Sequence, residues 1–235
     1  MISKQTITGS EIDFEGGTAV LIDKPLEWTS FRVVAEVRKL TGVKKVGHAG
    51  TLDPKATGLL IVCTGKMTKR IIEFQDLDKT YTGTIKLGES TPSMDSETEV
   101  NSVMDYSGVT LKDIIEASKD FSGNILQIPP MYSAVSFKGK KLYKLARKGK
   151  TVEREPREVT VHKFEILSYN PPFINFELKC SKGTYVRSIA SDLGTKLGCG
   201  AYLSSLRRTY IGEYSSEDAF EPAEFSNYIS QLIEI

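Results

Sequence analysis

Residues 46–70, VGHAGTLDPKATGLLIVCTGKMTKR, carry the strongest structural signal in this chain of 235 residues. The run GLLIVCTG at 58–65 is short, apolar and bounded by glycines, which predicts a buried strand. Ahead of it, Pro54 disfavours a helical backbone at the residue before it, so Asp53 is predicted to lie extended in a loop. Loops supported by a rigid strand often carry binding or catalytic groups.

Several roles are open to an aspartate in such a loop. Its reference pKa of about 3.9 keeps it ionised at neutral pH, so Asp53 could act as a nucleophile, a general base or a metal ligand. It could equally be a turn opener, since Asp before Pro is a common turn sequence. No second carboxylate lies nearby to form an acid–base pair, and the glycines do not match GxxxxGK[ST]. His48 is either structural or part of the same site.

The composition is typical of a folded protein from a reducing compartment. Thirty-one basic and 30 acidic side chains nearly cancel, and 40% of the residues are hydrophobic. No apolar run approaches the roughly 18 residues of a membrane span, and the N-terminus lacks the apolar core of a secretory signal. The three cysteines form no CxxC pair and the two histidines are far apart, so we expect neither a disulfide nor a metal site. A cytoplasmic location without a membrane partner follows.

Strands and helices are mixed along the chain rather than strictly alternating. A turn at Asn170-Pro171-Pro172 is predicted to join two strands as a hairpin. Helices are predicted to begin near Ser30, Thr110 and Ser188, and a further one to cover 67–74. We therefore predict an α+β fold with a largely antiparallel, mixed central sheet flanked by helices, in a single catalytic domain over residues 1–235. The predicted strands are 18–25, 58–64, 79–88, 157–170 and 174–183.

Charge is segregated along the chain. Residues 138–157 hold nine basic and two acidic side chains, residues 89–120 hold eight acidic and two basic ones, and residues 213–235 form an acidic tail. A basic run alone is most often a solvated loop, but clustered Lys and Arg also release counterions when they bind nucleic acid. Tyr132 and Tyr143 offer faces on which RNA bases stack.

One longer motif adds a resemblance to these patterns. GHAGTLDPKATGLL, residues 47–60, resembles the signature of the bacterial TruB-type tRNA pseudouridine synthases, which act on uridine 55 of the T-arm. The resemblance implies the pseudouridine synthase fold, no cofactor, the tRNA T-arm as partner, and a monomer without an obligatory protein partner. Four more segments resemble the family's motifs in the same order: DKPLEWTS (23–30), DKTYTGTIKLGEST (78–91), QIPPMYSAVSFKGKKLYKLARKG (127–149) and CSKGTYVRSIASDLGTKLGCGAYLSSLRR (180–208).

The resemblance also assigns roles to residues. Asp53 matches the catalytic aspartate, Arg187 the arginine that pairs with it, and Tyr81 the tyrosine that stacks on the target base. Tyr185 and Arg187, two apart in a stretch expected to be extended, are predicted to point to one side. The remaining substrate-binding matches are His48, Lys24, Tyr185 and Leu206. An insertion at about 126–157 matches the RNA-gripping insertion, with these candidates for backbone contacts: Lys138, Lys140, Lys141, Lys144, Arg147 and Lys148.

The chain departs from the family pattern in three places. Glu27 stands where glycine is usual, and Ser136 and Phe137 stand where many members have a lysine and an aromatic residue. The chain ends at Ile235, so we expect no C-terminal PUA domain. The complete set of Asp53, Tyr81 and Arg187 nevertheless favours a stand-alone uridine isomerase. The alternative is an RNA-folding module that opens the tRNA elbow independently of catalysis, and a guide-dependent synthase is disfavoured because extra RNA-docking extensions are lacking.

Overall fold

The computed structural model describes residues 1–6 and 12–233, and the chain forms two compact units. Unit 1 comprises residues 1–81 and 206–235, and unit 2 comprises residues 82–205. Strands β4 (Lys79–Leu87) and β12 (Ala201–Ile211) each have one part in either unit. The last two residues of the predicted acidic tail lie outside the described range, and the single domain stays a prediction.

Unit 1 contains a mixed sheet with helices packed against it. Strand β3 (Ala56–Thr64) pairs antiparallel with β1 (Ala19–Lys24) and β2 (Val46–His48), and parallel with the second half of β12. The end of β12 also pairs with β13 (Tyr214–Ser215). The helices of unit 1 are α1 (Phe14–Gly17), α2 (Ser30–Thr41), α3 (Ile71–Asp76) and α7 (Pro222–Ile233), with a 3-10 helix at Gly65–Arg70.

The core of unit 1 follows from the spacing of apolar residues. Valines on one face of α2 are buried against β1, β3 and α7. In α7, Phe225, Tyr228 and Ile229 lie on the face that the helical spacing predicts, and they belong to the same cluster. The buried residues of α2 and the two strands in this cluster are Val33, Val34, Val37, Val20, Ile22, Leu60 and Val62.

Unit 2 is built on a sheet in which β10 (Arg157–Asn170) lies between β11 (Phe173–Cys180) and β7 (Gly123–Gln127), both antiparallel to it. The β10–β11 hairpin turns at Pro171-Pro172, as predicted. Two small hairpins lie outside this sheet: β5 (Glu89–Ser90) with β6 (Ser102–Val103), and β8 (Ser136–Phe137) with β9 (Lys140–Lys141). The helices are α4 (Leu111–Ser118), α5 (Leu142–Ala146) and α6 (Val186–Lys196), with a 3-10 helix at Lys119–Phe121.

The α+β fold with a mixed, mainly antiparallel sheet is confirmed, whereas several helix bounds differ from the prediction. Helix α2 begins at Ser30, as predicted, and its capping residue is Thr29, whose hydroxyl accepts the Arg32 N–H. Helix α6 begins at Val186 rather than Ser188, and the Ser188 hydroxyl is buried and donates to the Ile128 carbonyl. The helix expected at 67–74 is a 3-10 helix followed by α3.

Candidate active site

Asp53 lies half-buried in the loop between β2 and β3, as the sequence predicts. Its carbonyl accepts the Ala56 N–H at 3.0 Å, so the residue also opens a turn into β3. The first residues of β3 are buried, which anchors the end of this loop to the sheet. The side chain is therefore carried by a short turn on a rigid strand.

The backbone on either side of Asp53 is held by the segment at 23–30. The Ser30 hydroxyl accepts the Leu52 N–H at 2.9 Å and donates to the Leu52 carbonyl at 3.1 Å. On the other side, the Pro54 carbonyl accepts the Glu27 N–H at 2.9 Å and the Lys24 Nζ at 3.5 Å. Because both neighbours are bound, the position of the carboxylate is fixed through its own backbone.

Arg208, which no sequence pattern indicated, holds the loop at a third point. Its side chain is buried, and it donates from Nε to the Leu59 carbonyl at 2.8 Å and from Nη2 to the Gly50 carbonyl at 3.2 Å. Two residues earlier, Leu206 lies half-buried and in register with Ala56 in the parallel pairing of β12 and β3. The predicted pocket residue Leu206 thus lies next to the strand that follows Asp53.

Lys24 is a buried cation, and its predicted contact with the substrate stays a prediction. It is 0% exposed, and its Nζ also donates to the carbonyls of Pro25 at 2.9 Å and Trp28 at 2.7 Å. Burial lowers its pKa to about 8, although the charge of Asp53 acts in the opposite direction. Lys24 therefore combines a structural role in the turn with a positive charge that acts on Asp53.

The shifted pKa of Lys24 predicts a pH-dependent stability. Between about pH 8 and the unfolded value of about 10.5, the unfolded chain binds more protons than the folded one, so the free energy of unfolding rises with pH. The rise from this group corresponds to about 3 kcal/mol. Urea denaturation at several pH values in this range should show that the free energy of unfolding rises with pH in the native chain more than in Lys24→Met. A difference between the two chains that stays constant with pH would contradict the assignment.

His48 contributes an uncharged ring at the start of the same loop. Burial, and then the charge of Arg208, lower the pKa of the imidazole below its usual value of 6.5. The ring of Phe31, on the first turn of α2, contacts it edge-on with the centroids 5.6 Å apart. A neutral aromatic ring of this kind suits contact with a nucleotide base.

Glu27, which stands where glycine is usual in the motif, has a left-handed backbone conformation. Its φ is +65°, in the left-handed region that glycine favours and that costs other residues about 1–2 kcal/mol. The N–H bond to the Pro54 carbonyl and an ion pair with Lys55 at 2.6 Å hold this conformation. Glu27 therefore keeps the positive φ that glycine readily adopts at such a position.

The remaining predicted residues lie in β4 and in unit 2. Tyr81 is 9% exposed and lies in β4. Tyr185 is half-buried and precedes α6, whereas Arg187 lies in the first turn of that helix, so the expectation of an extended stretch through both residues is wrong. The amide of Gln127 binds Tyr185 by accepting its N–H at 2.6 Å and donating to its carbonyl at 3.0 Å. Gln127 thereby fixes the start of α6.

Arg187 is buried among acceptors from two loops. Its Nε lies 3.6 Å from Oδ2 of Asp95, and it donates from Nη1 to the Ser93 carbonyl at 3.1 Å and from Nη2 to the Tyr132 carbonyl at 2.8 Å. Asp95 is also buried, and its Oδ1 accepts the Glu97 N–H. The sequence placed Asp95 only in an acidic stretch. The predicted pairing of Arg187 with the Asp53 carboxylate stays a prediction.

The basic insertion is folded, not an open loop. Lys138 and Gly139 both have positive φ, which closes the β8–β9 hairpin with a two-residue turn. Leu142 of α5 is buried and anchors the segment, and Arg147 forms an ion pair with Glu97 at 3.0 Å. All six candidate cations of the insertion are exposed, namely Lys138, Lys140, Lys141, Lys144, Arg147 and Lys148.

Residues 1–6 and 12–233, which the structure describes, offer neither a membrane-spanning helix nor a cluster of metal ligands. None of the helices in this range is long and apolar enough to cross a bilayer. In the same range, no group of three or more His, Cys, Asp or Glu side chains is placed to hold a metal ion.

Comparisons with known proteins agree with the motifs of both units. Residues 38–186 match the model of the TruB family pseudouridylate synthase N-terminal domain, and residues 187–231 match that of the tRNA pseudouridylate synthase B C-terminal domain. A tRNA pseudouridine synthase B of Chloroherpeton thalassium is 53% identical over 208 residues, 86% of each chain. One of Parabacteroides distasonis is 46% identical over 94% of this chain and 97% of its own.

Two solved structures share the fold at lower identity. The chain superposes with a TM-score of 0.71 and 26% identity on a chain of an H/ACA RNP bound to a substrate RNA containing 2′-deoxyuridine, covering 94% of this chain and 56% of that one. For a chain of a Cbf5-Nop10-Gar1 complex the TM-score is 0.72 with 26% identity, covering 100% and 65%. The fold, the two family models and the close relatives agree, and the chain belongs to the TruB family of pseudouridylate synthases.

Proposed function

We propose that the chain converts uridine 55 in the T-arm of tRNA to pseudouridine, with Asp53 as the catalytic residue. The observation that carries the proposal is the fixed loop around Asp53, which Ser30, Lys24 and Arg208 hold at three points. The names of relatives that are 45–53% identical over most of the chain support tRNA as the substrate.

The chemistry is an isomerisation that needs no net reactant besides the nucleotide. The bond from C1′ to N1 breaks, the uracil rotates, and a bond from C1′ to C5 forms, while C5 loses its proton and N1 gains one. A carboxylate can form a covalent adduct that allows this sequence, and the site must first take the nucleotide out of its stack. Tyr81, Tyr185 and His48 supply aromatic faces for the flipped base and its neighbours. Arg187 would keep the Asp53 carboxylate ionised and oriented.

The exposed cations of the insertion are the proposed contacts to the RNA backbone. Their density predicts that affinity falls steeply with salt, because each phosphate contact releases counterions. Arg147 has a competing partner in Glu97, so we expect it to contribute less than the lysines of the β8–β9 hairpin. The chain is proposed to act as a monomer without an obligatory protein partner. Light scattering with and without tRNA measures the molar mass that tests the monomer.

The direct test is mass-spectrometric mapping of pseudouridine in unmodified tRNA after incubation with the purified chain. We expect one new pseudouridine, at position 55. We also expect an isolated T-arm hairpin to be converted at a rate close to that of full tRNA, because the contacts assigned here concern the T-arm alone. The absence of pseudouridine at position 55 would overturn the proposal, and a large loss on the hairpin would overturn the restriction to the T-arm.

Substitutions of the neighbouring residues Thr29 and Ser30 distinguish an effect on helix stability from an effect on the position of the Asp53 loop. Thr29→Ala removes the cap of α2 and should cost about 1 kcal/mol of stability. Ser30→Ala leaves the buried Leu52 peptide without its side-chain partner, at about 1–3 kcal/mol, and frees the backbone next to Asp53. When the rates are compared under conditions in which both variants are fully folded, only Ser30→Ala should slow single-turnover conversion of the tRNA. Equal rates for the two variants would contradict the positioning role.

A further inference from the structure

A basic and aromatic surface lies in unit 1, outside the insertion. Residues 31–48 contain five basic side chains and one acidic one. We define the α2–β2 strip as the surface formed by Phe31, Arg38, Lys44, Lys45 and His48. All but His48, which is half-buried, are exposed, and Phe31 is 76% exposed. Such exposure of a large aromatic ring beside unpaired cations is typical of an interaction surface.

Two sets of contacts make the strip continuous. Phe31 and Arg38 are seven residues apart, two helical turns, so they lie on the same face of α2 about 10 Å from each other. At one end, the Phe31 ring contacts His48; at the other, the Arg38 guanidinium donates to the carbonyls of Lys44 at 3.2 Å and Val46 at 3.4 Å. Strand β2 therefore runs beside the helix, and Lys44 and Lys45 extend its cationic end.

The charges of the strip are not neutralised by ion pairs within the described residues. Within the range that the structure describes, neither Arg38 nor Lys44 nor Lys45 forms an ion pair with a carboxylate. The aromatic end adjoins the loop that carries Asp53, because His48 is the last residue of β2 and directly precedes that loop. An anionic chain with exposed bases complements both ends of the strip: stacking at Phe31 and phosphate contact at the lysines.

We propose that the α2–β2 strip is a second RNA-binding surface, on which a base next to the target nucleotide stacks on Phe31 and the adjoining backbone contacts Lys44 and Lys45. The inference rests on the proposed function, since it concerns the same RNA substrate. Under this proposal, the insertion in unit 2 and the strip in unit 1 each contribute charge to substrate binding.

The test is a salt titration of the affinity of the full chain for a fluorescein-labelled T-arm hairpin, in the Asp53→Asn background so that the RNA is not converted. Lys44→Gln/Lys45→Gln should make the slope of log K against log salt shallower by about 1.4–1.8, the value for two lost phosphates. A matched control, Lys112→Gln/Lys179→Gln, removes two exposed charges from unit 2 and should leave the slope unchanged.

The aromatic end is tested by a pair of substitutions at Phe31. Phe31→Leu keeps an apolar contact with His48 but removes the stacking face, and should weaken binding about tenfold, whereas Phe31→Tyr should restore it. If the salt slope of Lys44→Gln/Lys45→Gln equalled that of the control, or if the two Phe31 variants bound RNA equally well, the proposed RNA-binding role of the strip would be wrong. If uridine 55 is still converted by the chain with Asp53 intact, the proposed function stands regardless; if it is not, that function fails independently of the strip.

Discussion

Asp53→Asn should abolish pseudouridine formation while leaving RNA binding intact. The amide has the shape of the carboxylate and can remain in the turn that the Ala56 N–H closes, but it cannot act as the anionic nucleophile. We expect a loss of at least about ten-thousand-fold in the single-turnover rate, since removal of a nucleophile leaves only binding and orientation. Mass-spectrometric detection of pseudouridine in tRNA measures the rate.

A matched control keeps this result specific. Asp218 is also half-buried in unit 1, and its carboxylate accepts a hydrogen bond from Gln5, so Asp218→Asn removes a comparable charge from a position outside the proposed site. This variant should convert tRNA like the native chain. If Asp53→Asn also retained conversion, the nucleophile assignment would be wrong. If instead it lost conversion but still supported tRNA folding, the RNA-folding alternative would describe a second, independent activity.

The local elements of the site could be predicted because their causes are local. The proline after Asp53 and the apolar run from 58 to 64 predict a loop that enters a buried strand, and both are present. Helix α2 ends at Thr41 and is capped by Gly42, whose φ of +70° lies in the left-handed region that glycine favours. These features depend on a few adjacent side chains, which a sequence shows directly.

The contacts that fix the site depend on pairs far apart in the chain. Ser30 and Thr29 are equally good caps by type, and only the position of Leu52, brought there by the fold, gives Ser30 its other role. Arg208 bonds a carbonyl that lies 149 residues away in the sequence. The start of α6 was mispredicted for the same reason, because the group that binds Tyr185 is the amide of Gln127 and not a nearby capping residue. Periodicity and capping rules contain no information on such partners.

A buried ion pair in unit 2 joins Asp95 and Arg187. Asp95 and Arg187 have side chains that are each 5% exposed, so their charges are hardly screened by solvent. The guanidinium donates hydrogen bonds from Nη1 and Nη2 to two backbone carbonyls, and its Nε faces the Asp95 carboxylate as an ion pair. It thereby holds the loop with Asp95 and the entry to the insertion at Tyr132 in one arrangement. An ammonium group cannot reproduce this fork.

Arg187→Lys should therefore lose both stability and activity although it keeps the charge. Each buried acceptor left without a donor costs about 1–3 kcal/mol, and the proposed orientation of Asp53 is lost with the guanidinium, so we expect conversion to fall at least about a hundredfold. Asp95→Asn should weaken the same network, and the double variant should be less destabilised than the sum of the single ones by about 0.5–3 kcal/mol. Urea denaturation and single-turnover rates of the four chains measure both effects. Additive losses would show that Asp95 and Arg187 act independently, and full activity in Arg187→Lys would remove the guanidinium from the mechanism.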